Sequence, residues 1–164
     1  MSTASDCQNK DRVWLLFDIC RDIEGSFAEL YHFYSDHFKD DAEIARMWKK
    51  TAMEEENHQH QFAMARRMMS NMQCVANVDI DIAVDVRDNV AKLVANAIKR
   101  PPNLASALKR SIELEEKLSV FHAGTIVSFT DPGLKNMFSA MLCFDKEHVE
   151  TLRQHYAGIM HKSE

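Results

Sequence analysis

Four times along this chain, apolar residues recur at alternating steps of four and three over roughly seven helical turns. The first row reads Val13, Phe17, Cys20, Glu24, Phe27, Tyr31, Tyr34, Phe38, and the second Ile44, Trp48, Thr51, Glu55, His58, Phe62, Ala65, Met69. The third is Leu104, Leu108, Ser111, Glu115, Leu118, His122, Thr125, Phe129, and the fourth Leu134, Phe138, Met141, Asp145, His148, Leu152, His155, Ile159. That stepping keeps each row on one face of a helix, and four such faces are buried most simply by packing helices against one another. Turn material is scarce, with four Gly and three Pro among 164 residues, which disfavours many short strands. The length suits one domain with a proper core.

The segments run from about Asp11 to Phe38, Asp41 to Met72, Asn103 to Phe129 and Gly133 to His161, leaving residues 1–10 as an N-terminal tail and 11–164 as the domain. Asp40-Asp41 opens the second, Pro101-Pro102-Asn103 the third, and Asp131-Pro132-Gly133 breaks the chain before the fourth. Between the second and third lies a long connection, residues 73–100. In it, Val78-Asp79-Ile80-Asp81-Ile82 alternates apolar and acidic and is expected to be an extended crossover, since a lone strand has no partner. Val86, Val90, Leu93 and Ala97 then suit a short amphipathic helix. Short loop, long crossover, short loop is the connectivity of a ferritin-like four-helix bundle, the all-α fold expected here.

Each row is interrupted near its middle by a carboxylate, Glu24, Glu55, Glu115 or Asp145, and two add a histidine three residues on, His58 and His148. Burying four carboxylates together is prohibitive unless their charge is compensated. Two divalent cations would compensate it, with Glu55 and His58 on one helix, Asp145 and His148 on another, and Glu24 and Glu115 completing the set. An internal symmetry supports this grouping: Glu24 to Glu55 is 31 residues and Glu115 to Asp145 is 30. Glu24…Tyr31 parallels Glu115…His122, and Glu55-Glu56-Asn57-His58 parallels Asp145-Lys146-Glu147-His148. Glu113 and Glu116 compete with Glu115 but leave the row, and Glu54 and Glu56 are expected to be exposed. His32, His37, His60 and His161 are expected in solvent, and His155 as a core histidine.

Glu24 with Tyr31, Glu54-Glu55-Glu56-Asn57-His58, Ile112-Glu113-Leu114-Glu115 and Asp145-Lys146-Glu147-His148 together resemble the rubrerythrin branch of the ferritin-like di-iron carboxylate proteins, over about Asp11 to Met160. The resemblance implies two bound iron ions, an oxidoreductase reducing peroxide or oxygen, and self-association, for instance as a dimer. It also implies that Tyr31 donates a hydrogen bond to a ligand carboxylate. Three departures stand out. The paired CxxC motifs of the rubredoxin module are absent, so electrons would come from an external donor; His122 replaces an expected tyrosine; and Asp145 is one methylene shorter than the usual Glu. His122 is then a hydrogen-bond partner of a ligand or a further ligand. Mixed oxygen and nitrogen donors also accept manganese or zinc. Two other functions fit the same residues: a ferroxidase feeding an iron store, and a non-catalytic metal-binding helical module.

The formal net charge of −5 and the scattered Lys and Arg give no basic footprint for nucleic acid. No apolar run is long enough for a signal core or a membrane span, so a cytoplasmic protein is expected. Cys7, Cys20, Cys74 and Cys143 are too far apart for a CxxC pair, and Cys20 and Cys143 are expected as buried thiols. Met64, Met68, Met69 and Met72 suggest core filling or an oligomer contact.

Overall fold

The computed structural model of the chain describes residues 4–68, 79–126 and 131–161, leaving aside the side chains of residues 4–10 and 124–126. Within them the protein is all-helical: α1 (Ala4–His37), α2 (Ala42–Met68), α3 (Ile80–Lys99), α4 (Leu104–Ile126) and α5 (Pro132–His161). Short aspartate and asparagine side chains start four of these helices by accepting hydrogen bonds from otherwise orphaned backbone N–H groups. Asp41 Oδ1 accepts from Glu43 and Ile44, Asn103 Oδ1 from Ser106 at 2.8 Å, and Asp131 Oδ1 from Leu134 at 2.8 Å. Asp79 Oδ1 accepts from the Asp81 N–H at 2.9 Å and opens α3.

That last cap corrects the expectation for the crossover. Ile80-Asp81-Ile82 is the first turn of a 20-residue helix, not extended chain, because the Asp79 carboxylate satisfies a helix N-terminus there; Val78 lies outside the described residues. The buried row of α3 is Ala83, Val90, Val94 and Ala97, while Leu93 is exposed and Val86 is half-buried. At the other end of the chain α1 begins at Ala4, ahead of its apolar row. Helix continues through a polar stretch there because nothing in it breaks one.

α1 packs along α2, α4 along α5, and α3 lies against α1. The rows read from the sequence point inward: from Val13 to Tyr34, Ile44 to Ala65, Leu108 to His122 and Leu134 to Leu152, each member is buried. α1 also buries a second row, Leu16, Ile19, Ile23 and Leu30, so it is apolar on two sides and needs α3 as a cover. Two aromatic layers close the interior. Phe138 meets Phe17 at 5.6 Å and Phe62 at 5.1 Å between ring centroids, while Trp48 meets Tyr31 at 5.3 Å and Tyr34 at 5.0 Å. The first layer links α1, α2 and α5, so the two hairpins form one helical bundle around a shared core.

Some surface expectations change. Cys20 is buried, but Cys143 faces outward on α5; the Cys7 side chain and Cys74 lie outside the described residues. Met64 and Met68 are exposed rather than core-filling, and Met69 and Met72 are also outside what is described. Among the described residues, no helix is long and apolar enough to cross a membrane.

Phe138 is 1% exposed at the junction of three helices. Phe138→Ala should therefore cost about 3–5 kcal/mol and lower the melting temperature by roughly 10 °C. Thermal and chemical denaturation followed by circular dichroism measures it, and a change below about 1 kcal/mol would mean the two hairpins do not depend on this layer.

Candidate metal centre

Between the two aromatic layers the four inward rows turn polar at the same level. Glu24 from α1, Glu55 and His58 from α2, Glu115 and His122 from α4, and Asp145 and His148 from α5 are all buried, none more than 4% exposed. Spacing explains the convergence: each row reaches its carboxylate after about three helical turns, so antiparallel packing brings the four carboxylates to one height.

Two sets of three residues can each aim one atom at a common point: Glu24, Glu55 and His58, and Glu55, Glu115 and His148. Glu55 belongs to both. Its Oε2 lies 3.1 Å from His58 Nδ1 and its Oε1 3.1 Å from His148 Nδ1, so its two oxygens face opposite halves of the centre. Glu24 likewise lies between two rings, with Oε2 3.6 Å from His58 Nδ1 and Oε1 3.1 Å from His122 Nε2. Tyr31 Oη donates to Glu115 Oε1 at 2.5 Å across the core. Asp145 and His122 belong to neither set of three. Asp145 Oδ2 lies 3.3 Å from His122 Nδ1 and its Oδ1 3.8 Å from His58 Nδ1.

The centre balances charge internally. Burial alone would drive the imidazoles neutral, but the carboxylates beside them prevail. Glu24 and Glu55 hold His58 up at about 10, Asp145 and Glu24 hold His122 at about 9, and Glu54 and Glu55 hold His148 at about 11. Against its own burial, the Glu24 carboxyl is pulled down to about 2 by His122 and His58. Glu115 goes the other way: burial and then the Glu55 charge raise it well above the usual carboxyl range. Burial and the adjacent Glu115 raise Tyr31 too, so its hydroxyl keeps its proton.

Divalent metal fits this donor set. Both Glu24 oxygens, Glu55 Oε1, His122 Nε2 and both His148 nitrogens are buried without a hydrogen-bond partner, because their close contacts lie off the hydrogen-bonding directions. Hard carboxylate oxygens and borderline imidazole nitrogens that converge in this way suit first-row divalent cations.

One residue outside the inward rows belongs here. Glu54, expected to be exposed, is half-buried, and its Oε2 lies 2.7 Å from His148 Nε2, which holds its own carboxyl below the usual range despite partial burial. It stands one residue off the row, toward α5, where only a neighbouring helix could show its partner. Of the other histidines, His32 is half-buried and pairs with Glu56 at 2.8 Å, while His37, His60 and His161 are exposed. His155 is half-buried at the rim of a groove rather than in the core. Glu113 and Glu116 are exposed.

Two grooves approach the centre from outside. One, of about 550 Å³, is lined by Glu54, His58, Met64 and Phe144, among others; the second, of about 280 Å³, by Glu43, Lys50, Glu54, His148 and His155. Glu54 stands on both. Comparison of the chain with known protein families, curated proteins and solved structures found no match.

The three raised imidazoles make the metal-free protein sensitive to alkali. Each contributes stability that is complete below the ordinary histidine pKa near 6.5 and is lost as pH rises through about 9 to 11. The melting temperature of chelator-treated protein should therefore fall between pH 7 and about 10. Saturating divalent metal should oppose that slope, since the cation competes with the ring protons. A flat profile for the metal-free protein would rule out imidazolium as the internal counter-charge.

Proposed function

We propose that this centre binds two iron ions and that the chain is a rubrerythrin-like oxidoreductase of the ferritin-like kind, reducing peroxide or oxygen with electrons from a separate donor. The observation that carries the reading is Glu55, a buried carboxylate shared between two sets of ligand-type residues. Dinuclear carboxylate sites in helical bundles take one Glu from each of two helices and a Glu-x-x-His from each of the other two. Glu24, Glu115 and Glu55 with His58 follow that pattern, and Asp145 with His148 follows it with the shorter Asp.

Bound iron supplies the redox chemistry, and two-electron reduction of hydrogen peroxide to water also consumes two protons. The chain's own residues provide for that need. Tyr31 keeps a proton on Oη, directed at Glu115 Oε1. That hydroxyl holds a proton beside the Glu55–His148 half of the centre. Phe17, Phe62 and Phe138 on one side and Trp48, Tyr31 and Tyr34 on the other keep bulk water from both ends of the interior. The two grooves at Glu54 offer small oxidants a side entrance next to His58 and His148. The sequence contains no CxxC motif, and the reading assigns the supply of electrons to a separate donor.

Protein from iron-supplemented cells should carry about two irons per chain, the number a shared carboxylate implies. Glu55→Ala should lose both, because one residue serves both positions. The reduced, iron-loaded protein should be oxidised rapidly by peroxide and returned to its starting state by an added donor. Tyr31→Phe should retain iron but slow the peroxide step by about tenfold or more, as expected for loss of a positioned proton donor. Bound metal without redox turnover would instead identify a metal-binding helical module, and iron oxidation with mineral accumulation in a large assembly would identify an iron store.

A further inference from the structure

The chain's internal twofold pattern is broken at two places, and the two breaks touch. Residues seven places after the α1 and α4 glutamates correspond to each other: Tyr31 follows Glu24, and His122 follows Glu115. Each crosses to the other hairpin's glutamate, Tyr31 Oη to Glu115 Oε1 and His122 Nε2 to Glu24 Oε1. The second break is Asp145, the counterpart of Glu55, and its Oδ2 lies 3.3 Å from His122 Nδ1. A shorter carboxylate thus sits against the ring that replaces a phenol.

The contacts divide the roles of the His122 ring. Asp145 accepts a hydrogen bond from Nδ1–H, so that Nε2 is the nitrogen whose proton an entering cation would displace, as in a carboxylate-oriented metal histidine. Nε2 is buried, has no hydrogen-bond partner, and lies 3.1 Å from Glu24 Oε1, while His58 Nδ1 lies 3.6 Å from Oε2 of the same carboxylate. A tyrosine hydroxyl donates to the carboxylate it meets, whereas an imidazole nitrogen that gives up its proton can also bind a cation held by that carboxylate.

We propose that the two metal positions are chemically unlike: His122 is a ligand at the Glu24–Glu55–His58 position, and Asp145 orients it rather than bridging the two ions. This inference rests on the dinuclear reading above. It gives the first position two imidazoles and two carboxylates, and the second, at Glu55–Glu115–His148, one imidazole and two carboxylates. The nitrogen-richer position selects cations late in the divalent series, such as cobalt and zinc, while the oxygen-richer one is better suited to manganese or iron(II). The two positions therefore fill in sequence and accept a mixed pair of ions.

Cobalt(II) titration of the metal-free full chain, followed by calorimetry and visible absorption, tests this without any activity readout. The wild type should show two separable binding steps. His122→Phe should weaken the tighter step by at least tenfold and leave the other within about threefold, and Asp145→Asn should weaken the same step by about tenfold. His148→Phe should instead weaken the other step. His122→Tyr restores the pattern of Tyr31 and should bring the two steps together, which keeps the inference testable if the phenylalanine variant fails to fold. Unchanged steps in both His122 variants, or equal weakening of both steps, would overturn the inference and leave a symmetric dinuclear centre standing. A wild type that binds no cobalt(II), iron(II) or zinc(II) would overturn the dinuclear reading itself.

Discussion

Everything in this structure is arranged around the cost of holding seven ionisable side chains in one dry space. Four carboxyl groups and three imidazoles meet at the centre of the bundle, none with appreciable access to water. Isolated, each charged group would lose several kcal/mol of hydration. Together they cancel: the rings are driven toward imidazolium by the carboxylates, and Glu115 is driven toward its neutral acid by burial and by Glu55. A protonated centre and a metal-loaded centre are two solutions to one electrostatic problem, and the same oxygens and nitrogens serve both. A divalent cation entering this centre would have to displace those protons.

The rest of the fold follows from that demand. Such a cluster persists only if the surrounding core is rigid enough to prevent it from drifting toward water, and the aromatic layers above and below provide that rigidity. The bundle is closed along its axis but accessible from one side, where α2 and α5 are in only limited contact and the grooves around Glu54 reach the histidines. That asymmetry leaves the histidine side of the centre within reach of solvent while the aromatic layers close its two ends. α3 serves a different need. It covers the second apolar side of α1, through Leu16, Ile19, Ile23 and Leu30, which the other three long helices leave unpaired.

Much of the helical architecture was legible because residues at steps of four and three share one face of a helix, whereas in a strand they would scatter over both faces. Glu24, Glu55, Glu115 and Asp145 each occupy a position where an apolar residue would otherwise be expected, and the burial of all four follows from the row itself. The extended reading of residues 78–82 failed for a local reason. Alternating apolar and acidic residues mimic a strand, but Asp79 caps a helix, and one side-chain hydrogen bond to the Asp81 N–H changes the outcome. The second row on α1 was equally present in the sequence, yet a helix that is apolar on two sides shows a weaker one-sided pattern. Cys143 looked internal from its apolar neighbours alone, whereas helical phase turns it outward next to the buried Met141 and Asp145.

What the sequence determined by itself was the phase of each helix, and with it which carboxylates and histidines lie inside. Phase depends only on spacing along one chain segment, and 3.6 residues per turn convert spacing into direction. What only the tertiary structure decided was who meets whom across helices. The crossing of Tyr31 to Glu115 and of His122 to Glu24, the seat of Glu54 against His148, and the pairing of Asp145 with His122 all join different helices. Such contacts depend on the relative height and rotation of packed helices to within about an ångström. That register is set by how the whole core interlocks, which no single segment encodes.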